Sequence, residues 1–307
     1  MSMIRSARSA VLFAAILPFV SLSIPLRADG QNVQQYLRDQ YRGKMFVLRG
    51  FQANDVLRYD SSGLSSNPNS GDWTTDGFVQ VSDIHLSDDR LIIKAQRMAV
   101  IWSDTKQFEL RPLGRAKDKG KKAIRVEISA DPGMHNPSAE QVDAVLARIF
   151  LTAQDSLAGL VPDYWEPCIR GGTKGADKNC VFAPEVLAIP GVAGSAANDS
   201  AENSAMSNAP ELIRHVTKGM SPPRAAFSPE PAFSDWAREA KYEGVTTLRL
   251  VVTEQGLPAH IQIVSPLGYG LDTKAVEAVQ RWRFKPAEKD GQPVAVSIMV
   301  EVNFHLY

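Results

Sequence analysis

The histidines are the residues best suited to metal or acid–base chemistry, and they are scattered along the chain. The five are His85, His135, His215, His260 and His305. No two of them stand at helical ligand spacing, and no H-E-x-x-H motif occurs in the sequence. A zinc site needs several such ligands brought to one point. The sequence therefore predicts no metal site.

Asp83 and His85 are the best candidates for an acid/base pair. They lie two residues apart in a predicted strand and therefore share one of its faces. No nucleophile motif such as G-x-S-x-G accompanies them. The competing interpretation, a solvated strand face, is favoured. We therefore predict no catalytic residue, no cofactor and no enzymatic activity.

Charge gives no sign of a nucleic-acid partner. Lys plus Arg and Asp plus Glu both number 34, so the formal net charge is zero and no global field attracts an anionic polymer. The stretch GRAKDKGKK at 114–122 forms a basic tip that could touch lipid headgroups or nucleic acid. Because no aromatic residues are interleaved with its cations, a solvated loop between two strands is favoured.

The N-terminal residues have the order of a secretory signal peptide. Arg5 and Arg8 precede an apolar run at 10–26, and the small residue Ala28 precedes Asp29. The alternative is an uncleaved anchor in the inner membrane, with contact to the membrane at this segment alone. A helix of 17 residues reaches only about 25 Å, short of the ~30 Å hydrocarbon core. We predict a signal peptide over 1–28 and an exported protein.

Cys168 and Cys180 are the only cysteines, and disulfides persist in the compartments that exported proteins reach. We predict one structural bridge, which stabilises the fold by about 3 kcal/mol in the chain-entropy model. A redox or metal-binding pair, the alternative, would favour C-x-x-C spacing or nearby histidines. The enclosed stretch GGTKG at 171–175 lacks the Walker spacing of a phosphate loop and is predicted to be a turn.

The stretch 31–183 is predicted to be an α+β domain with a mostly antiparallel sheet and helices at its end. Alternating and apolar runs predict strands at 44–49, 77–87, 90–102 and 124–130. Ser138 and Gln141 form a capping box for the helix that follows. The apolar face of that helix consists of Val142, Val145, Leu146 and Ile149. A second short helix is expected at 156–160.

The composition then changes to Ala, Ser, Asn, Gly and Pro, as in AGSAANDSAENSAMSNAP. Such a segment buries too little apolar surface to order itself. We predict a flexible linker over 184–220. As a coil it would span roughly 25–30 Å, so the two flanking modules could reorient.

The last module, 221–307, has the clearest local pattern. Ser234 is a predicted N-cap for a helix that ends at Gly244. Strands at 245–254 and 260–264 form a hairpin, and Asp272 is expected to cap the helix TKAVEAVQRWRF. A final strand places its apolar side chains on one parity. These are Val294, Val296, Ile298, Val300, Val302, Phe304 and Leu306.

The stretch from Glu243 to Phe304 resembles the C-terminal domain of TonB family energy transducers. The most specific piece is AVQRWRFKPA at 278–287, preceded by LD at 271–272 and by the strand entry Glu243–Gly244. The resemblance implies two helices on a three-stranded antiparallel sheet. In that family the last strand is an edge to which the TonB box of an outer-membrane receptor adds a strand.

By this resemblance, two segments are expected to bind a protein partner such as a TonB-dependent outer-membrane receptor. The first is the edge strand, with Val294, Ala295, Val296, Ser297, Ile298, Met299 and Val300. The second is the segment before the first helix, with Glu230, Pro231 and Ala232. The expected location is the periplasm.

Energy transduction for transport across the membrane would require a motor-facing anchor and a stiff Pro-rich arm. The apolar run at 10–26 contains no ionisable residue, and the linker is Ser/Ala-rich. The sequence therefore favours partner binding over force transduction. The alternative is that 31–183 is an enzyme or small-ligand-binding domain and that the C-terminal module is its docking tag.

Overall fold

The computed structural model describes most of the chain between Gly30 and Leu306. The described ranges are 30–65, 69–87, 90–114, 125–130, 133, 135–174, 180–193, 214–215 and 219–306. Three predicted features lie outside them: the signal peptide, the basic tip beyond Gly114, and the linker over 194–213. No helix within the described ranges is long and apolar enough to cross a membrane.

The sequence runs predict four strands of the N-terminal module, and the structure adds two that were not predicted, at 56–59 and 108–112. Among the described residues the strands are β1 (Met45–Val47), β2 (Val56–Tyr59), β3 (Phe78–Leu86), β4 (Leu91–Trp102), β5 (Phe108–Pro112) and β6 (Arg125–Ala130). They pair in the order β1-β3-β4-β6-β2, and β5 pairs with the second half of β4. All pairs are antiparallel except β2 with β6, so the mostly antiparallel sheet is confirmed.

Two helices cover one face of this sheet. They are α1 (Gly30–Tyr41) and α3 (Ala139–Ile149), and a short helix, α2 (Trp73–Asp76), precedes β3 in the chain. The capping box at the start of α3 forms as predicted, with Ser138 and Gln141 each bonded to the backbone of the other, and its predicted apolar face is buried. Helix α1 was not predicted. Its sequence is mostly polar, with Val33, Tyr36, Leu37 and Tyr41 as its apolar and aromatic residues, and burial of Val33 and Leu37 against the sheet is what stabilises it.

The disulfide between Cys168 and Cys180 is formed, with a Cα–Cα distance of 5.3 Å. Cys168 lies in helix α4 (Glu166–Lys174), so the turn predicted at GGTKG is wrong over its first four residues. Trp165, Cys168 and Ile169 are buried in the core. Packing of this face overrides the low helix propensity of the two glycines.

The ordered fold extends further than the predicted start of the linker. Helix α5 (Pro184–Leu187) and the turns after it belong to the N-terminal module. Val186, Ile189 and Val192 are buried in its core. Their three-residue spacing places all three on one side of the chain, which the high Ala, Gly and Pro content of this stretch concealed.

The C-terminal module contains one main sheet, two small ribbons and two helices. Its strands in the described ranges are β7 (Arg214–His215), β8 (Met220–Ser221), β9 (Arg224–Phe227), β10 (Gly244–Val252), β11 (Pro258–Ser265), β12 (Arg283–Lys285), β13 (Ala287–Lys289), β14 (Gln292–Val294) and β15 (Val296–Phe304). The main sheet has the order β11-β10-β15-β7, and its first three strands are antiparallel. The ribbons are β12-β9 and β14-β13-β8.

Both helices of the module, α6 (Asp235–Ala240) and α7 (Leu271–Val279), are shorter than predicted. Helix α6 has the predicted N-cap Ser234 but ends at Lys241, whose left-handed φ of 51° stops it before Gly244. Helix α7 begins after Gly270, so Asp272 lies inside its first turn and is not its N-cap. The residues after Val279 leave the helix because 283–285 pair with β9.

The two modules pack against each other through a shared hydrophobic core. Trp73 and Phe108 of the first module belong to the same buried cluster as Leu250 and Phe304 of the second. The loop after β11 pairs with the end of β4, where the N–H of Trp102 donates to Leu267 O at 2.9 Å. Free reorientation of the modules, which the linker composition suggested, is therefore not what the structure shows.

Candidate partner-binding site

The site is built on β15, which pairs with β10 along its whole length, from Gly244↔Phe304 to Val252↔Val296. The predicted parity is confirmed. Val296, Val302 and Phe304 are buried, whereas Met299, Glu301 and Asn303 are exposed. Strand β15 therefore contributes one face to the core and still has a second backbone edge, on the side away from β10.

This second edge is unpaired over most of its length. Its first two residues, Val296 and Ser297, pair in parallel with Arg214 and His215 of β7. From Ile298 to Phe304, no strand in the described part of the chain pairs with β15 on this side. An unpaired edge presents N–H and C=O groups that can bond to an extended peptide.

Only part of the predicted edge segment lies on this open stretch. Val294 belongs to β14 and pairs with Ala287, and Ala295 lies between the two strands. Val296 and Ser297 are already paired with β7. The predicted residues on the open edge are therefore Ile298, Met299 and Val300. Val294 is the last residue of the tight β13–β14 hairpin, which turns at Gly291 with a φ of 77°. The chain therefore changes from one sheet to another before β15 begins, although the apolar alternation of the sequence continues through this point.

The segment before α6 lies beside the second half of β15. Together they line a cavity of about 390 Å³ that we call the edge groove. Its lining includes Glu230 and Pro231, two of the three residues in this segment that are expected to bind a partner. Ala232 is not part of its lining. The indole N–H of Trp282 donates to Pro229 O at 3.2 Å, and the Phe233 ring meets Phe304 edge-on at 5.5 Å. These two contacts hold the segment in place.

The edge groove runs along the strand edge and not over one face of the sheet. Its lining includes Glu301, Val302 and Asn303, and consecutive side chains in a strand point to opposite faces. The same three residues pair with β10 on their other side. The groove therefore opens on the edge away from β10, where a further strand would lie.

The lining of the edge groove combines aromatic rings with negative charge. Trp282 and Phe233 are half-buried, while Glu230 and Glu301 are exposed. Neither carboxylate has an ion-pair partner among the described residues. The lining residues from β15 and Trp282 were missed from sequence, because only the fold brings 282 and 301–305 beside 228–231.

Asp272 fixes the loop that carries α7 and meets the N-terminal module. Its fully buried carboxylate accepts hydrogen bonds from Thr246 Oγ1 at 2.7 Å, Leu267 N at 2.8 Å and Gly268 N at 2.7 Å. Burial raises the pKa of Asp272 to about 7. Ser234 Oγ, which caps α6, donates to Tyr269 O at 2.6 Å. The start of α6, and with it the segment before it, is thereby tied to this loop.

The opposite edge of the same sheet, on β11, meets the N-terminal module. Ile263 N donates to Tyr164 O at 2.9 Å, and Tyr269 N donates to Val100 O at 3.0 Å. The Tyr242 hydroxyl donates to Trp102 O at 2.9 Å. This edge is therefore covered within the chain itself.

Asp83 and His85 lie on β3, where Asp83 is opposite Lys94 and His85 is opposite Ile92. His85 is exposed, and the structure shows no hydrogen bond between the two side chains among the described contacts. The described residues contain no cluster of three or more His, Cys, Asp or Glu side chains that could hold a metal ion. The geometry thus favours the solvated strand face for this pair.

Known proteins resemble this chain in its C-terminal module. The family described as Gram-negative bacterial TonB protein C-terminal matches residues 229–306. Protein TonB2 of Pseudomonas aeruginosa is 34% identical over 80 residues, which are 26% of this chain and 30% of that protein. Protein TonB of Vibrio cholerae is 33% identical over 78 residues, which are 25% of this chain and 32% of that protein.

A solution NMR structure of the P. aeruginosa TonB CTD is 20% identical and has a TM-score of 0.22, with 30% of this chain and 92% of that chain covered. The chain spans about a third of the length of the relatives that it matches. The family match covers the elements that form the open edge and the edge groove. The C-terminal module of this chain is a member of the TonB C-terminal domain family.

Proposed function

We propose that this protein is a non-enzymatic component of the cell envelope that binds an extended segment of a partner protein in the periplasm. The segment adds as a strand to β15 over Ile298–Phe304. The observation that carries the proposal is the unpaired edge of β15, which belongs to the strand that completes the sheet of a TonB-type module.

The physical basis is the set of backbone groups that this edge leaves free. Along an edge strand, the N–H and C=O groups of alternate residues point away from the paired neighbour. Each bond formed with an added strand contributes about 0.5–1.5 kcal/mol net, so a few bonds together give useful affinity. Strand addition of this kind is a recurring mode of peptide recognition.

A second observation supports the proposal, because the edge already accepts a strand from this chain. Arg214 and His215 pair with Val296 and Ser297, immediately before the open stretch. The backbone of β15 therefore has a geometry suited to pairing on this side.

The TonB family match supports the choice of partner class. We assign to this chain the partner-binding part of a TonB-like role in envelope transport, with an outer-membrane receptor as the partner. To test this in cells, a photo-crosslinking residue is placed at Met299 or Asn303 on the open side, or at the exposed His260 of the covered β11 as a control. Receptor crosslinks are expected from the first two positions and not from His260. Equal crosslinking from His260 would contradict the assignment.

The mode of binding is tested by proline scanning through Ile298, Met299, Val300 and Glu301. The probes are extended decapeptides selected from a displayed random library on the full chain. Proline removes one N–H, so at alternate positions it deletes a bond to the added strand and leaves the pairing with β10 intact. Melting temperature and peptide titration are measured for each variant. If every variant that stays folded binds with wild-type affinity, strand addition at this edge is wrong.

A further inference from the structure

The edge groove lies where a strand added to β15 must pass. It is bounded on one side by the open edge at 301–303 and on the other by Ser228–Pro231. A strand pairs at a separation of about 4.8 Å, so the residues of an incoming strand that lie opposite 301–303 enter this cavity. At least one side chain of the incoming strand therefore contacts the residues that line the edge groove.

The walls are complementary to a cation with an apolar stem. Glu230 and Glu301 provide two exposed carboxylates, and the described lining contains no Lys or Arg. Trp282 and Phe233 provide aromatic surface next to them. The methylene stem of Lys or Arg packs on such rings while its charged head meets the carboxylates. A carboxylate side chain in the same position would be repelled.

We propose that the edge groove is a specificity subsite that selects a Lys or Arg side chain on the partner strand. This rests on the strand addition proposed above and adds the chemistry of one partner residue to it. Backbone hydrogen bonds along 298–304 form in the same way whatever side chains the partner strand carries. Selection among extended segments therefore falls to pockets such as this one.

The test uses the decapeptides selected from a displayed random library on the full chain. We expect enrichment of Lys or Arg at one fixed position. Replacing that arginine by citrulline, which has the same shape without the charge, should weaken binding about tenfold at low salt. In the variant Glu230→Gln with Glu301→Gln, the arginine and citrulline peptides should bind within about twofold of each other.

A matched control changes the net charge equally at a distance from the groove, with Glu185→Gln and Glu254→Gln, both exposed. This variant should keep the preference for arginine. If the citrulline peptide binds the wild type as tightly as the arginine peptide, or if the preference survives in the groove variant, the subsite is wrong. Peptides that bind without a preferred cation, and that lose binding in the proline variants, would overturn the subsite and leave strand addition intact. If the selection yields no peptide that binds the wild type more tightly than the proline variants, both the subsite and strand addition are wrong.

Discussion

The two edges of the C-terminal sheet differ, because one is covered by the N-terminal module and the other is mostly unpaired. On β11, Ile263 bonds to Tyr164 and the following loop pairs with the end of β4, so the N-terminal module covers this edge. On β15, pairing with a further strand stops after Ser297. An unprotected edge promotes unwanted association. The chain therefore protects one edge with its own first domain and leaves unpaired the edge at which we propose that the partner binds.

The covered edge depends on a close approach of two backbones. Gly268 has a φ of 96°, and a Cβ atom there would lie 2.5 Å from Val100 O and 2.7 Å from Ile101 Cα. Only glycine fits, because a side chain would be strained at this φ and would also overlap the backbone of β4. The contact between the modules is thus sensitive to a single methyl group.

The largest effect is expected from Gly268→Ala. The combination of backbone strain and overlap should lower the free energy of unfolding by roughly 4 kcal/mol, measured by urea denaturation. Gly291→Ala is the matched control. Gly291 has a φ of 77° with nothing within 4 Å of an added Cβ, so it should cost only about 1 kcal/mol. Equal losses in the two variants would show that the module contact contributes little.

Sequence patterns predicted the hairpin of β10 and β11 and the parity of β15, because both follow from residues close together in the chain. They did not predict which edge is covered. The contacts that decide this join distant residues, as in the bond from Gly270 N to Thr74 Oγ1 across 196 positions. Composition also suggested independent modules, since it cannot report that the core of the second module continues into the first.

The next largest effect concerns the disulfide, which anchors a segment that lies against β11. Cys180 Sγ is 3.8 Å from Val264 O. Replacing both Cys168 and Cys180 by Ala should destabilise the chain by about 3 kcal/mol, measured by thermal unfolding. Peptide binding at β15, measured below the melting temperature, should be unchanged. A loss of binding in the folded double variant would mean that the two edges are coupled.

Asp272 gives a smaller, pH-dependent effect on the covered edge. Burial raises its pKa in the folded chain from 3.8 to about 7. Between these values the folded chain holds a proton that the unfolded chain has released, so this carboxyl makes stability fall as the pH rises through that window. At pH 8 the group is ionised in both states, and the loss is complete.

We therefore expect Asp272→Asn to flatten the pH dependence. Relative to wild type, the variant should gain roughly 2–3 kcal/mol between pH 5 and pH 8, because the wild type loses about 1.4 kcal/mol per pH unit from pH 5 up to the Asp272 pKa of about 7. Melting curves at the two pH values measure this difference. An identical pH dependence in the two proteins would show that Asp272 is ionised throughout this range.

For the candidate site, the sequence identified the strand that has the open edge and two residues of the edge groove, and it placed the start of the open edge too early in the chain. Glu230 and Pro231 came from the resemblance, and both line the groove. Val294 and Ala295 were included because parity continues through them, although the chain leaves one ribbon and enters another sheet between them. The sequence placed Trp282 in a predicted helix. Its bond to Pro229, which is 53 positions away, cannot be recognised from the residues around it.

The smallest effect tests whether β7 competes with the partner for the open edge. Arg214 and His215 pair with Val296 and Ser297, immediately before the open stretch Ile298–Phe304. The decapeptide probes are longer than this stretch, and a probe whose end continues over Val296 and Ser297 must displace β7. Replacing both by proline removes whichever of the two N–H groups points to β15. The loss of about one bond of 0.5–1.5 kcal/mol should make peptide binding about two- to tenfold tighter, measured by titration of the full chain. Ser221→Pro, in β8 and paired with β13 instead, should leave the affinity unchanged. Unchanged affinity in the double-proline variant would place the partner strand entirely beyond Ser297, and weaker affinity would mean that β7 helps to build the site.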